Sequence, residues 1–240
     1  MKSRNTLLRG LLSALLVILL AAPSFAVVFV DSARPDDSGN GLTWATAKKT
    51  IKAGVSVAAG QPDLTVWVAK GTYTEAASIV LPVGVQVYGG LTVGDVPPFD
   101  LGARTFVPPT IVQPSAGTQA NSIFVAMGNN VIDGFTIQGG AAATGAAIFV
   151  VANASSTVSN NIIQNNTSAA AGVGIFATAA GTGAVVRVAR TRFKSNQAEN
   201  GGAIYAGGPS LVVVSSVFET NTAHFGGAIA VINGYLSVDL

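Results

Sequence analysis

The stretch that decides the fold lies near the end of the chain and occurs twice. Residues 193–208 read FKSNQAENGGAIYAGG, and residues 218–231 read FETNTAHFGGAIAV. The two phenylalanines, the two asparagines that follow them and the two Gly-Gly-Ala-Ile units are each separated by 25 positions. A fixed period of about 20 to 50 residues is typical of a solenoid, in which each repeat is one coil. The residues that define the repeat are Phe193, Asn196, Gly201, Gly202, Phe218, Asn221, Gly226 and Gly227.

Short apolar runs separate these units. AVVRVARTRF at 184–193 and SLVVVSSVF at 210–218 are rich in β-branched residues and are bounded by Gly, Asn and Ser, which favours strands over helices. The same order occurs in weaker form at 131–150 and 162–177, where Ile163 replaces the phenylalanine. Because these repeats leave no room for a crossover helix, the sequence predicts a single-stranded, right-handed parallel β-helix from about Leu64 onward.

Stacked coils place equivalent residues about 4.8 Å apart. We therefore expect Phe193 to stack on Phe218 inside the coils, and the asparagines to form one inward-facing file at a tight corner. Asparagine tolerates left-handed backbone, and paired glycines allow positive φ where a side chain would clash. The asparagines of this file are Asn166, Asn196 and Asn221, and the arginines expected to point outward are Arg187, Arg190 and Arg192.

The first 26 residues have the features of a secretory signal peptide. Three basic residues precede an apolar run from Leu11 to Ala22 that contains one polar residue, Ser13, and Ser24 and Ala26 supply a small-residue cleavage site. An uncleaved N-terminal anchor is the alternative. Without these residues, 10 basic and 11 acidic residues remain, a net charge of −1, so the sequence gives no case for nucleic acid. The mature segment contains no second apolar run of membrane-spanning length.

The remaining chain divides into two parts. Residues 27–62 form an N-terminal strand, a turn-rich loop and an amphipathic capping helix near Ala47 to Ala58, with Thr43 as N-cap and Trp44 packed against it. Residues 63–240 form the coils, interrupted by a proline-containing excursion at 99–114. The chain stops at GYLSVDL in mid-coil, so we expect a C-terminally truncated fragment. It contains no cysteine, so packing and backbone hydrogen bonds must hold it together.

The motifs GNGLTWATAKKTI, VWVAKGTYTE, VQVYGG and GFTIQGG, with the two FxxN and GGAI units, resemble exported parallel β-helix proteins. The resemblance includes the polymorphic outer membrane protein repeats, with their FxxN and GGA[ILV] hallmark. It implies a bacterial cell-surface or secreted scaffold, adhesin-like and non-catalytic, that contacts a host or cell-surface glycan or protein. The resemblance also implies export to the outer membrane, the cell surface or the extracellular space.

Parallel β-helices also include carbohydrate-active enzymes. The positions of the acidic residues therefore decide whether the sequence favours a scaffold or an enzyme. Glycoside hydrolysis requires a carboxylate pair, and lyase chemistry requires carboxylates for Ca²⁺ together with a base. We interpret Asp133 as a turn residue and the single histidine, His224, as solvated. Glu199 and Glu219 lie on adjacent coils but in different phases of the repeat. We therefore assign no catalytic residue; the alternative is a pectate lyase-like enzyme or glycosidase whose active site lies in a missing C-terminal part.

The densest acidic group contains Asp31, Asp36 and Asp37, with Asn40 nearby. Oxygen ligands at this spacing are weak candidates for Ca²⁺, but their order does not match an EF-hand loop. Turn formation explains them equally well, because Asp and Asn side chains bond to their own backbone. No other cofactor is expected.

Overall fold

The computed structural model describes residues 26–97, 99–107, 109–116, 122–151, 154–178 and 183–239. It is a parallel β-solenoid of about six turns with a single α-helix near the N-terminus. The predicted signal peptide lies outside the described residues except for Ala26. The fold class predicted from the repeat is confirmed, while the right-handed winding stays a prediction.

Three parallel sheets form the walls of the solenoid. The first consists, in spatial order, of β1 (Val28–Val30), β2 (Thr65–Ala69), β5 (Gln86–Leu91), β8 (Asn130–Asp133), β12 (Ser156–Ser159), β16 (Val185–Ala189), β19 (Ser210–Val214) and β22 (Leu236–Asp239). The second consists of β3 (Gly71–Glu75), β6 (Thr110–Pro114), β9 (Thr136–Gln138), β13 (Ile162–Gln164), β17 (Arg192–Lys194) and β20 (Val217–Glu219). The third consists of β4 (Ile79–Leu81), β7 (Phe124–Ala126), β11 (Ile148–Val150), β15 (Ile175–Thr178), β18 (Ile204–Gly207) and β21 (Ile229–Ile232).

A short fourth ladder, between the second and third sheets, pairs β10 (Ala141–Thr144) with β14 (Thr167–Ala171). Isolated bridges at Gln197 and Asn200 continue it into the next coil. From β8 onward, each coil therefore runs through the first sheet, the second sheet, this corner and the third sheet before the next coil begins.

Like residues stack on like residues in the repeated coils. The rings of Phe193 and Phe218 are parallel, with centroids 5.0 Å apart, and Phe193 is fully buried. The Asn166 amide nitrogen donates to Asn196 Oδ1 at 3.0 Å, and the Asn196 amide nitrogen donates to Asn221 Oδ1 at 2.9 Å. Both predicted files are confirmed. The arginines Arg187, Arg190 and Arg192 are exposed, as expected.

The backbone at the asparagine corner differs from the sequence expectation. Positive φ falls on the residue before each ladder asparagine, namely Asn165 (54°), Ser195 (52°) and Thr220 (52°). The ladder asparagines themselves are not among the residues with positive φ. Of each glycine pair only the first, Gly201 or Gly226, has positive φ, near 60°. The second lacks a side chain for another reason: a Cβ on Gly202 would lie 2.2 Å from the Gly227 carbonyl oxygen.

The capping helix is shorter than predicted and begins at a different residue. Helix α1 spans Ile51–Ala58, with Thr50 as its N-cap accepting from the Ala53 N–H. Thr43 instead caps a 3₁₀ turn at Trp44–Thr46. The helix cannot begin earlier because Lys48 is held extended beside β1, donating its N–H to the Phe29 carbonyl at 3.0 Å. The apolar face of α1 packs on the interior of the first coil, as predicted.

Trp44 does not pack with α1, which corrects the sequence prediction. It lies on the outer side of the first sheet, where its ring centroid is 4.7 Å from that of Phe29. The excursion after β5 folds over the same surface, and its Phe99 ring contacts Trp67. The Trp44 indole N–H donates to the Asp95 carbonyl at 2.6 Å. The last five residues of the predicted excursion form strand β6, and the interruption begins directly after β5, so it lies earlier in the chain than expected.

Candidate functional site

Asp133 is part of a buried ion pair, whereas the sequence indicated a turn residue. Its side chain pairs with Arg104 from the excursion, and the two side chains are only 7% and 3% exposed. The second carboxylate oxygen accepts from the Ser159 hydroxyl and from the Asn160 amide at 2.7 Å. Asn160 in turn accepts from Arg190 Nε at 2.8 Å. Asp133 therefore joins the excursion to the two following coils, and its oxygen atoms are occupied by these donors.

Arg104 is held on several sides. Its guanidinium donates to the Gly89 carbonyl at 2.7 Å and lies 5.5 Å from the ring centroids of Tyr88 and Phe106. Burial, reinforced by the neighbouring Asp133 charge, raises the pKa of the Tyr88 hydroxyl. A buried arginine between aromatic faces with a carboxylate partner is a complete structural unit. It offers no free base or acid to a substrate.

Glu199 and Glu219 lie on either side of the asparagine corner. Glu219 belongs to β20, opposite Lys194, and its carboxylate is 3.9 Å from Arg192 Nη1 on the previous coil. Glu199 follows the corner and is exposed. Its coil equivalent is His224, which is also exposed and donates its backbone N–H to the Glu199 carbonyl at 2.9 Å. The two glutamates therefore occupy different stretches of the coil perimeter.

A surface groove runs along the fourth ladder. It has a volume of about 730 Å³ and crosses three coils. Its lining is Ala141, Ala142, Ala143, Thr167, Ser168, Ala169, Gln197, Ala198 and Glu199. The Ser168 hydroxyl is already bonded to the Ala143 carbonyl at 2.8 Å. The lining therefore consists of small uncharged side chains, Gln197 and one carboxylate, and Glu199 has no acidic partner in it.

The aspartates of the turn-rich loop before α1 accept hydrogen bonds from backbone N–H groups of the same segment. Asp31 accepts from the Ala33 N–H at 2.9 Å and Asp36 from the Ser38 N–H at 2.8 Å, both two residues further on. Asp37 accepts from the backbone of Lys49 and Thr50 at 2.7 and 2.9 Å. In the described part of the chain no group of three or more His, Cys, Asp or Glu is placed to hold a metal ion. The weak calcium candidates therefore accept backbone hydrogen bonds: Asp31 and Asp36 within turns, and Asp37 from the residues that directly precede α1.

Glu75 is a buried carboxylate that the sequence did not single out. It accepts from the Ile51 N–H at 2.7 Å, at the N-terminus of α1, and is 4% exposed. Burial raises the pKa of the Glu75 carboxyl, and the hydrogen bond from Ile51 opposes that rise. The neighbouring Tyr73 hydroxyl donates to the Ala69 carbonyl at 2.8 Å. Together these groups fix the helix to the first coil.

Sequence reasoning missed Arg104 and Glu75 for a common reason. Both act across more than 20 positions, on partners that no repeat register predicts. The only signal in the sequence concerned Glu75, an acidic residue at the end of the strand-like stretch VAKGTYTE. Nothing in the local pattern identifies the helix N-terminus as its partner.

Comparisons of the chain with known protein families, with curated proteins and with solved structures found no match. The class of protein is therefore defined by the fold itself, a parallel β-solenoid with a helix at its N-terminal end. Within the ranges that the structure describes, no helix has the length and apolar character needed to cross a bilayer.

Proposed function

We propose that this chain is an exported, non-catalytic scaffold of a bacterial cell surface or secretome, adhesin-like and related to the polymorphic outer membrane protein repeats. The support for export is the charged, apolar and small-residue order of residues 1–26. The support for the repeat relationship is the FxxN and GGAI register. Its partner is a host or cell-surface glycan or protein.

The observation that carries the non-catalytic reading is the distribution of carboxylates along the described coils. A glycosidase requires two carboxylates within roughly 10 Å across one bond. Asp133 is engaged with Arg104, and Glu219 lies in a different sheet segment from Glu199. The groove along the fourth ladder therefore offers one carboxylate and a row of small side chains, which suits contact with a partner surface.

The catalytic question is tested on the purified chain from Val27 onward. It is incubated with a panel of acidic and neutral polysaccharides, and new reducing ends and unsaturated products are measured. We expect no turnover. Turnover that disappears in Glu199→Gln but persists in Glu219→Gln would reject the scaffold and support the carbohydrate-active alternative.

Export and adhesion are tested separately. The full precursor is expressed in a bacterium, and the N-terminus of the exported product is sequenced; cleavage before Val27 is expected. The mature chain displayed on non-adherent cells is expected to increase their retention on host cells or on immobilised glycans. Unchanged retention with normal display would remove the adhesin part of the proposal.

A further inference from the structure

Most of the positive charge of the coils lies on one turn of the solenoid. Residues 184–196 contain four basic and no acidic residues, and no other Lys or Arg follows Arg104 in the sequence. All four side chains are exposed. We call them the basic row, and they are Arg187, Arg190, Arg192 and Lys194. Since the chain from Val27 onward has a net charge of −1, the basic row is a local concentration of charge.

The neighbouring coils do little to neutralise the basic row. The equivalent segment of the previous coil, residues 154–166, contains no charged residue. The equivalent segment of the following coil, residues 210–221, contains only Glu219. The Glu219 carboxylate lies 3.9 Å from Arg192 Nη1, and the two side chains are 39% and 53% exposed. An exposed pair of this kind contributes little, so most of the positive charge stays uncompensated.

The donors of the basic row are largely unused. The side chains of Arg187 and Lys194 make no hydrogen bond or ion pair with the residues that the structure describes. Arg190 donates from Nε to the neutral Asn160 amide at 2.8 Å, which leaves its terminal nitrogens available. Like charges held close together on one coil repel each other. A bound anion would both accept these hydrogen bonds and remove the repulsion.

A recess of about 300 Å³ opens beside Arg187. Its lining includes Asn129, Ser155 and Thr157, whose side chains can donate hydrogen bonds. The Ser155 hydroxyl oxygen accepts from the Val185 N–H at 3.0 Å, so its own proton is free to be donated. The planar guanidinium fork of arginine matches the paired oxygens of an anionic group. The recess therefore suits an acidic substituent placed against Arg187.

The basic row crosses the corner between β16 and β17, and Arg190 lies at that corner. Its φ is 46°, in the left-handed region, where the adjacent coils place Asn160 and Ser215. Asparagine tolerates this conformation, whereas a long side chain such as arginine is uncommon in it. Strained residues of this kind are concentrated at functional sites. The backbone at Arg190 thus supports a binding role for the basic row, independently of its charge.

We propose that the basic row binds a sulfated polysaccharide, which lies along this coil across the corner. Arg192 and Lys194 are two positions apart on one strand, so their Cα atoms are about 7 Å apart. So dense a row of cations matches a polymer with sulfates on most of its sugars better than one with a carboxylate only on alternate sugars. Nucleic acid fits less well, because Phe193, the aromatic residue of this segment, is buried and offers no surface for base stacking. This inference narrows the partner of the proposed scaffold and rests on that function.

Binding is measured by fluorescence anisotropy with the purified chain from Val27 onward and a labelled heparin oligosaccharide. Hyaluronan and dextran oligosaccharides of the same length are the comparison ligands, together with a single-stranded DNA of the same total charge. We expect the heparin oligosaccharide to bind most tightly, with an affinity that falls as salt is added, and dextran not to bind. Equal or tighter binding of hyaluronan, dextran or DNA would overturn the proposal. So would the absence of heparin binding.

The test variant carries Arg187→Thr and Arg190→Asn together. These substitutions copy Thr157 and Asn160 of the previous coil, so the corner should fold as it does there. The loss of two charge-assisted contacts should raise the dissociation constant for the heparin oligosaccharide by at least about tenfold. Circular dichroism and thermal unfolding establish that the variant is folded.

The matched control carries Lys49→Gln and Lys52→Gln together, which removes the same charge at exposed positions beside the start of α1. Its dissociation constant should change by less than about twofold, because these charges are more than a screening length from the basic row. Lys194→Gln, which copies Gln164 of the previous coil, is a second and milder test and should weaken binding by about threefold. Equal losses in the test and control variants would mean that net charge alone governs binding and would overturn the proposal.

The outcome is separable from that of the adhesion experiment. Cells that display the chain and are retained on host cells, although the purified chain does not bind the heparin oligosaccharide, would overturn this inference and leave the scaffold function in place. Heparin binding that is lost in the test variant, without retention of cells, would support the inference and remove the adhesin role.

Discussion

The two halves of the solenoid are held together in different ways. In the last three coils, identical residues repeat in register, so Phe193 meets Phe218 and Asn196 meets Asn221. In the first three coils each important contact occurs once, as in the pair of Arg104 with Asp133 or of Trp44 with the Asp95 carbonyl. Repetition holds one half, and specific long-range partners hold the other.

This difference affects how each half responds to mutation. A residue of the repeated coils, such as Asn196, contacts residues of the same type on the coil above and on the coil below. The free-energy cost of replacing it is therefore divided between two contacts. A buried charged side chain that does not recur from coil to coil, such as Arg104, has one charged partner. Its removal leaves that partner charged and unpaired in the interior. The irregular half should therefore be the more sensitive to single polar substitutions.

The largest effect is expected for Arg104→Ala. The substitution leaves the Asp133 carboxylate buried without its counter-ion, which typically costs about 3–5 kcal/mol in the free energy of unfolding. Urea unfolding monitored by circular dichroism measures the change. Arg190→Ala serves as control, because Arg190 is exposed and its side chain donates to the neutral Asn160 amide oxygen, so a loss below about 1 kcal/mol is expected. Equal effects of the two substitutions would contradict the special role of the ion pair.

An intermediate effect is expected for Asn196→Ala. The fully buried amide bonds to the Ile163 carbonyl at 2.8 Å and to Asn221, and losing these partners should cost about 1–3 kcal/mol. Asn221→Ala should cost less, since Asn221 is partly exposed. The control is Ser195→Gly at the same corner: its φ of 52° suits glycine, which offsets the loss of the exposed hydroxyl contact with Thr220, so a loss below about 1 kcal/mol is expected. A stability of Asn196→Ala equal to wild type would mean that the ladder contributes nothing.

The smallest effect, and one that depends on pH, is expected for Glu75→Gln. Burial raises the folded-state pKa of Glu75 above its ordinary value of 4.5. The nearby Asp37 charge raises this pKa further, whereas Lys52 lowers it. The protonated form is therefore favoured by folding, and this stability is lost as pH rises from about 4.5 through the folded-state pKa. Glutamine stays neutral and can still accept from the Ile51 N–H.

Thermal unfolding of wild type and Glu75→Gln between pH 4 and pH 8 measures this dependence. The variant should gain stability relative to wild type as pH increases and should match it near pH 4. Glu199→Gln, at an exposed position, should show no comparable trend. A difference that shrinks with rising pH would mean that burial does not dominate at Glu75.

The repeat predicted more of the structure than any other feature of the sequence. It placed the stack of Phe193 on Phe218 and the file of Asn166, Asn196 and Asn221. Periodicity works here because each coil sees an environment nearly identical to that of its neighbour. The capping helix that ends at Ala58 was also predicted, although its start was not, because the strand-like pairing of Lys48 overrides the local N-cap signal of Thr43.

The sequence by itself determined that the chain folds into stacked parallel coils. The Phe, Asn and Gly-Gly residues recur every 25 positions, and parallel coils are the packing that gives each copy of these residues the same buried position. The tertiary structure alone decided where the singular residues go. Arg104 finds Asp133 because the excursion folds back over the outer side of the first sheet, and Glu75 finds Ile51 because α1 closes the first coil. Such contacts depend on the path of the chain between distant segments, and no local pattern encodes that path.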